Sequence, residues 1–152
     1  YTVINKTLLT DLDKKNLINL YEPIVGCLAI SLYLTLWSDL DKTETISKDF
    51  THHHLMTFLK AKLDYIKEAR ESLEAVGLIK TYIKQDKDIN HYIYELYSPI
   101  SAYDFFNHPV LNVVLYNNKS VGIKARQIHE INNRILYALC FCISLFLYRN
   151  HR

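Results

Sequence analysis

The chain has 152 residues, 49% hydrophobic and 22% charged, with a formal net charge of +2; that balance describes one packed domain with at most a short appendage, and it excludes a second large domain and a disordered or fibrous chain. Its three glycines, Gly26, Gly77 and Gly122, stand too far apart to write a Walker phosphate loop, a GxGxxG dinucleotide turn or a GxSxG nucleophile elbow. The odd set of Cys27, Cys140 and Cys142 lacks CxxC spacing and suits a reducing compartment, so the cytoplasm is the expected location; Tyr1 begins no secretory leader and points to a segment of a longer product.

Leu17, Leu20, Tyr21 and Ile24 fall on one helical stripe, with Thr10 or Asp11 as cap, and Pro23 should end or bend this first helix just before Gly26. Cys27 to Trp37 is apolar nearly all round, the pattern of a central helix inside a small core. Polar Ser38 to Lys48 reads as a loop, with a short extended piece at Thr45-Ile46. A third helix begins near Thr51 with Leu55, Phe58 and Leu59 inward. After a break at Lys60, Ile66, Ala69, Leu73 and Val76 line one face of a fourth helix, which Gly77 stops in the C′ position.

The period then drops to two. Leu78 to Lys84 and His91 to Tyr97 are β-branched and aromatic runs separated by polar Gln85 to Asn90, which predicts a hairpin closed by Pro99. Ser101 with Asp104 marks another helix start, and Val110, Leu111, Val114 and Leu115 make a further short helix. The expected class is mostly α with a β-hairpin: a winged helix-turn-helix domain over 8–100, a short helical extension over 101–118, and a tail over 119–152. Residues 1–118 carry a net −3 and the tail +5. Within the tail, Ile135 to Tyr148 is fourteen uncharged residues, about 21 Å of helix, short for a span of about 30 Å and fitting a buried or interfacial helix.

A DNA-reading helix needs a basic or amide-rich outward face. From Lys60 to Val76, Lys60, Lys62, Lys67 and Arg70 are matched by Asp64, Glu68, Glu71 and Glu74, and pairs such as Asp64 with Lys67 and Lys67 with Glu71 would solvate the helix. In the hairpin, Lys80, Lys84 and Lys87 interleave with Tyr82 and Tyr92, which could hold single-stranded nucleic acid by charge and stacking; the same tyrosines serve equally as packing residues, and the hairpin edge could pair with a second copy. His52-His53-His54 points about 100° apart residue by residue and makes a poor metal site, and His129-Glu130 lacks the second histidine of HExxH. No local nucleophile motif is present, so no catalytic residue, metal or cofactor is expected.

Leu20-Tyr21-Glu22-Pro23-Ile24-Val25-Gly26, Ser31 to Trp37 and Leu73 to Tyr82, followed by Tyr94-Glu95-Leu96, Pro99, Phe105-Phe106-Asn107 and Leu115-Tyr116-Asn117, resemble the amino-terminal domain of the replication initiation and membrane attachment proteins of low-GC Gram-positive bacteria, the DnaB/DnaD family. The resemblance runs over residues 8–118. It implies a non-enzymatic primosome component that self-associates through this domain and helps load the replicative helicase at origins and restart sites. Its implied partners are other primosomal proteins and the helicase loader. DNA is left mainly to a separate carboxy-terminal domain of the full-length protein, and peripheral membrane association is a further implication. On this reading Tyr21, Pro23, Gly26, Tyr33, Trp37 and Leu73 to Gly77 hold the wing against the helices. From Lys119 the chain departs from the family; the tail is either a foreign ending or a helix that packs on a second subunit or lies on a membrane. The alternative function is a dimeric winged-helix transcription regulator that binds duplex DNA, and a membrane-surface protein is a third.

Overall fold

Thr10 starts the helical body with a capping box: its Oγ1 accepts the Asp13 N–H at 3.2 Å and the Asp13 carboxylate accepts the Thr10 N–H at 2.8 Å. The computed structural model describes residues 1–40, 45–86 and 89–117. Helix α1 (Asp11–Asn16) runs through a π-helical turn, Leu17–Tyr21, straight into α2 (Glu22–Val25). Pro23 does not end the helix, the first of the two outcomes expected of it, an end or a bend. Its missing N–H falls in the first turn of α2, where the wider π turn has already displaced the ladder and the Glu22 N–H reaches back to the Leu17 carbonyl. The break comes at Gly26, whose φ of +86° favours a residue without Cβ.

Central helix α3 (Cys27–Ser38) buries Ala29, Ile30, Leu32, Tyr33 and Leu36, as its apolar composition predicts. Helix α4 (His52–Leu59) buries Leu55, but Phe58 is 66% exposed rather than inward. Leu55 and Leu59 are four apart and share the inner stripe; Phe58 is rotated off it and packs on the His54 ring, centroids 4.7 Å apart. Lys60, at φ +48°, makes the tight turn into α5 (Leu63–Ala75), which buries Ile66, Ala69 and Leu73. A Schellman motif ends α5: Leu78 N–H bonds Leu73 C=O and Gly77 N–H bonds Glu74 C=O, both at 3.0 Å, with Gly77 at φ +76°.

Strands β2 (Ile79–Asp86) and β3 (Ile89–Leu96) form the antiparallel hairpin. They are longer than the alternation suggested, because Gln85 pairs with Asn90 in the ladder; backbone pairing carries on past the apolar positions once the register is set. A third strand, β1 (Thr2–Asn5), precedes residue 8 and joins the same sheet parallel to β3, in the order β1-β3-β2. Its Val3 is fully buried opposite Tyr94. The outer edge of β1 is closed by the extended piece expected at Thr45-Ile46: Asn5 N–H bonds Thr45 C=O and Ser47 N–H bonds Val3 C=O, both at 2.8 Å.

After β3 come α6 (Ala102–Asn107), capped by Ser101 as predicted, and α7 (Pro109–Asn117). Phe105 is fully buried and meets Tyr21 edge-on, centroids 5.1 Å apart, so α6 closes the core that α1 to α3 began. Tyr33 OH donates to the Tyr97 C=O at 2.8 Å, fastening α3 to the end of the wing, and Tyr21 OH accepts the Ile100 N–H at 3.3 Å. Trp37 sits toward α1, with Lys14 Nζ 5.4 Å from its ring. The architecture is a winged helix-turn-helix, as read from the pattern. The expected helix at Ile135 to Tyr148 lies outside the described residues.

Candidate functional site

Helix α5 occupies the reading position of the helix-turn-helix pair, with Lys62, Asp64, Lys67, Glu68 and Glu71 exposed. Its charges are balanced, though through other pairs than the spacing suggested. Arg70 Nη1 bonds Glu74 Oε1 at 2.6 Å and its Nη2 lies 3.5 Å from Glu71 Oε1. No ion pair joins Lys67 to Asp64 or Glu71 among the described residues. A guanidinium held between two carboxylates on its own helix is poorly placed to recognise a base edge.

The hairpin register splits the proposed nucleic-acid contacts. Lys80, Tyr82 and Lys84 lie opposite Glu95, Ile93 and His91 on the outer face of the sheet, whereas Tyr92 lies opposite Ile83 on the face turned toward the helices. The structure brings Lys80 and Tyr82 together, ammonium 5.6 Å from the ring centroid. It does not bring Tyr92 to them, and Lys87 lies outside the described residues. At the base of the wing on its outer face, Glu95 accepts Tyr97 OH at 2.9 Å and pairs with Lys6 at 3.2 Å. Burial pushes the Glu95 carboxyl up, but the hydrogen bonds from Tyr97 and Lys6 outweigh it, and the group is held below the usual carboxylate range. An ionised carboxylate beside Lys80 opposes a phosphate strand laid across this face.

The three adjacent histidines diverge. His52 Nε2 meets Tyr94 OH at 2.9 Å, His53 is exposed, and His54 Nε2 meets Asp39 Oδ1 at 3.1 Å. Asp39 also accepts Tyr1 OH at 2.7 Å, so it ties the end of α3 to the first strand. A Thr2, His91 and Asp49 group has a triad's residue types without its geometry. Thr2 Oγ1 donates to Asp49 Oδ1 at 2.6 Å, so His91 Nε2, 2.7 Å from that oxygen, must supply the hydrogen; the imidazole is a donor here and cannot serve as base toward Thr2.

Between α5 and the inner face of the wing lies a cleft of about 160 Å³. Leu63, Ile66 and the Tyr92 ring form its apolar wall, and His52, Tyr94, Lys67 and Arg70 supply its polar groups. Burial pushes the Tyr94 hydroxyl up to about 12. Burial first, then the positive charges of the Tyr1 ammonium and of Arg70, push the His52 imidazole down, which favours its neutral form. The spacing of the histidines did not identify His52 as a partner of Tyr94, since the two are 42 residues apart; the Thr-Val-Ile run at the start of the chain was the available signal for β1.

A second exposed surface is the outer stripe of α7. Phe105 to Asn118 contains no charged residue, and Val110 and Val113 face solvent while Leu111 and Leu115 are buried. Among the described residues no helix is long and apolar enough to cross a membrane.

Comparison with known proteins places these features. The model of the DnaB N-terminal winged helix domain matches residues 1–127. The replicative helicase loading/DNA remodeling protein DnaB of Staphylococcus aureus is 31% identical over 118 residues, which are 78% of this chain and 24% of that protein. The crystal structure of primosome protein DnaB, residues 1–300, from Geobacillus stearothermophilus superposes with a TM-score of 0.76 at 32% identity, covering 84% of this chain and 49% of that one. The chain thus spans about a quarter of the length of the curated relative and about half of the solved one.

Proposed function

The chain belongs to the DnaB N-terminal winged helix domain family, and from that premise we propose that it is a non-enzymatic, self-associating scaffold domain of the helicase-loading machinery, acting in replication initiation with other primosomal proteins. In this reading DNA contact by the whole protein lies chiefly outside the winged helix. The observation that carries it is the electrostatics of the reading position. The Arg70 guanidinium is tied to Glu74 and Glu71, and ionised Glu95 lies opposite Lys80 at the base of the wing and pairs with Lys6, so much of the positive charge a winged helix ordinarily offers to phosphate is offset. Such a surface meets protein more readily. The names of the two relatives, a helicase loading protein and a primosome protein, support the same role.

Sedimentation equilibrium of the full chain tests the reading. The expected weight-average mass rises with concentration to at least twice the 17.9 kDa monomer. A monomer throughout the micromolar range would count against a self-associating scaffold.

A further inference from the structure

The cleft under the wing holds donors without acceptors. The Lys67 ammonium forms no ion pair among the described residues, although Asp64 stands three residues before it and Glu71 four after it; its side chain lines the cleft instead. The Tyr92 hydroxyl has no hydrogen-bond partner among the described residues. Arg70, its side chain 18% exposed, uses only part of its five-donor fork on Glu74 and Glu71. Among the described residues no carboxylate lines the cleft. Donors above an apolar wall call for a ligand that joins an apolar group to an anion. The volume, about 160 Å³, sets the size of that group, since a cavity of about 150 Å³ takes a benzene ring.

The chain itself presents such a group. Leu12, on α1, is 66% exposed, and Asp11 and Asp13 flank it; among the described residues it is the exposed large apolar side chain with a carboxylate on both sides. Asp13 is engaged in the capping box, but Asp11 is held only by Lys14 at 2.9 Å, a surface pair of little energetic weight that can exchange partners. A polynucleotide fits less well. Its evenly spaced phosphates would meet Asp64, Glu68, Glu71 and Glu74 along α5, whereas a single carboxylate beside Leu12 meets Lys67 alone.

We propose that the cleft between α5 and the wing receives Leu12 of a second copy of this chain, with that copy's Asp11 paired to Lys67. This assignment rests on the self-association reading and names its contact. Because the protruding group and the cleft are different surfaces, the contact is head-to-tail, so assembly either closes into a ring or continues to grow.

Charge reversal in the full chain tests the contact by sedimentation velocity. Lys67→Glu and Asp11→Lys alter exposed side chains, and each alone is expected to weaken self-association roughly tenfold or more, as loss of a close interfacial charge pair does. Mixing the two variants restores association, because Lys at position 11 of one then meets Glu at position 67 of the other, while the remaining Asp11 meets the remaining Lys67. Leu12→Ala weakens association in either background. If the wild-type chain associates but the reversals leave its mass unchanged, or the mixture fails to recover, the cleft contact is wrong and the scaffold reading stands. A chain that is monomeric at every concentration overturns both.

Discussion

Replacing Phe105 by Ala is expected to cost about 3–5 kcal/mol of stability, the range for truncating a buried aromatic ring. Phe105 is fully buried, lies edge-on to Tyr21 at 5.1 Å, and contacts Phe106 at 5.9 Å. Its removal leaves a cavity beside the π turn and deletes an aromatic pair of about 0.5–1.5 kcal/mol beyond area burial. Urea unfolding reads the effect as a lower midpoint with unchanged slope. The sequence assigned residues 101–118 to an extension of the domain. If α6 were dispensable to the core, the main transition would scarcely move, and that result would contradict the packing described here.

Leu73→Ala is expected to lose about 2–5 kcal/mol. The side chain is wholly buried where α5 hands the chain to β2, and the Leu73 carbonyl accepts the Leu78 N–H at 3.0 Å, so one residue serves both the core and the C-terminal motif of the helix. Glu71→Ala, two residues away on the exposed side, is expected to stay within about 0.5 kcal/mol of wild type. Comparable effects from the two substitutions would mean that α5 packs on a different face. Measuring both by urea denaturation separates helix propensity, which Ala satisfies at either site, from burial, which it does not.

Much of this arrangement was legible because it rests on local chemistry. Gly77 terminates α5, Ser101 caps α6, and the alternation from Leu78 marks the wing, each decided within a few residues. What was hidden depends on distance in sequence. Strand β1 has four residues and pairs with a strand about ninety residues away, so its pattern was too short to announce its partner. The π turn buries Leu17, Leu20 and Tyr21, and the apolar stripe reads the same whether the turn is α or π. Tyr82 and Tyr92 belong to different strands, and only the hairpin register shows that they point to opposite faces. The pairing on α5 was equally undetermined by spacing: Lys67 has carboxylates at i−3 and i+4 and Arg70 has one at i+4, and it is Arg70 that pairs, with Glu74.

On the proposed reading, this winged helix meets protein rather than reading bases. Titrating the full chain against duplexes of differing sequence over a range of salt concentrations tests it most directly. Weak binding is predicted, at or above about 10⁻⁶ M near physiological salt, with the same affinity for every duplex and a steep loss as salt rises. Capture of one duplex at about 10⁻⁸ M or tighter, preferred about a thousandfold over the others, would contradict it.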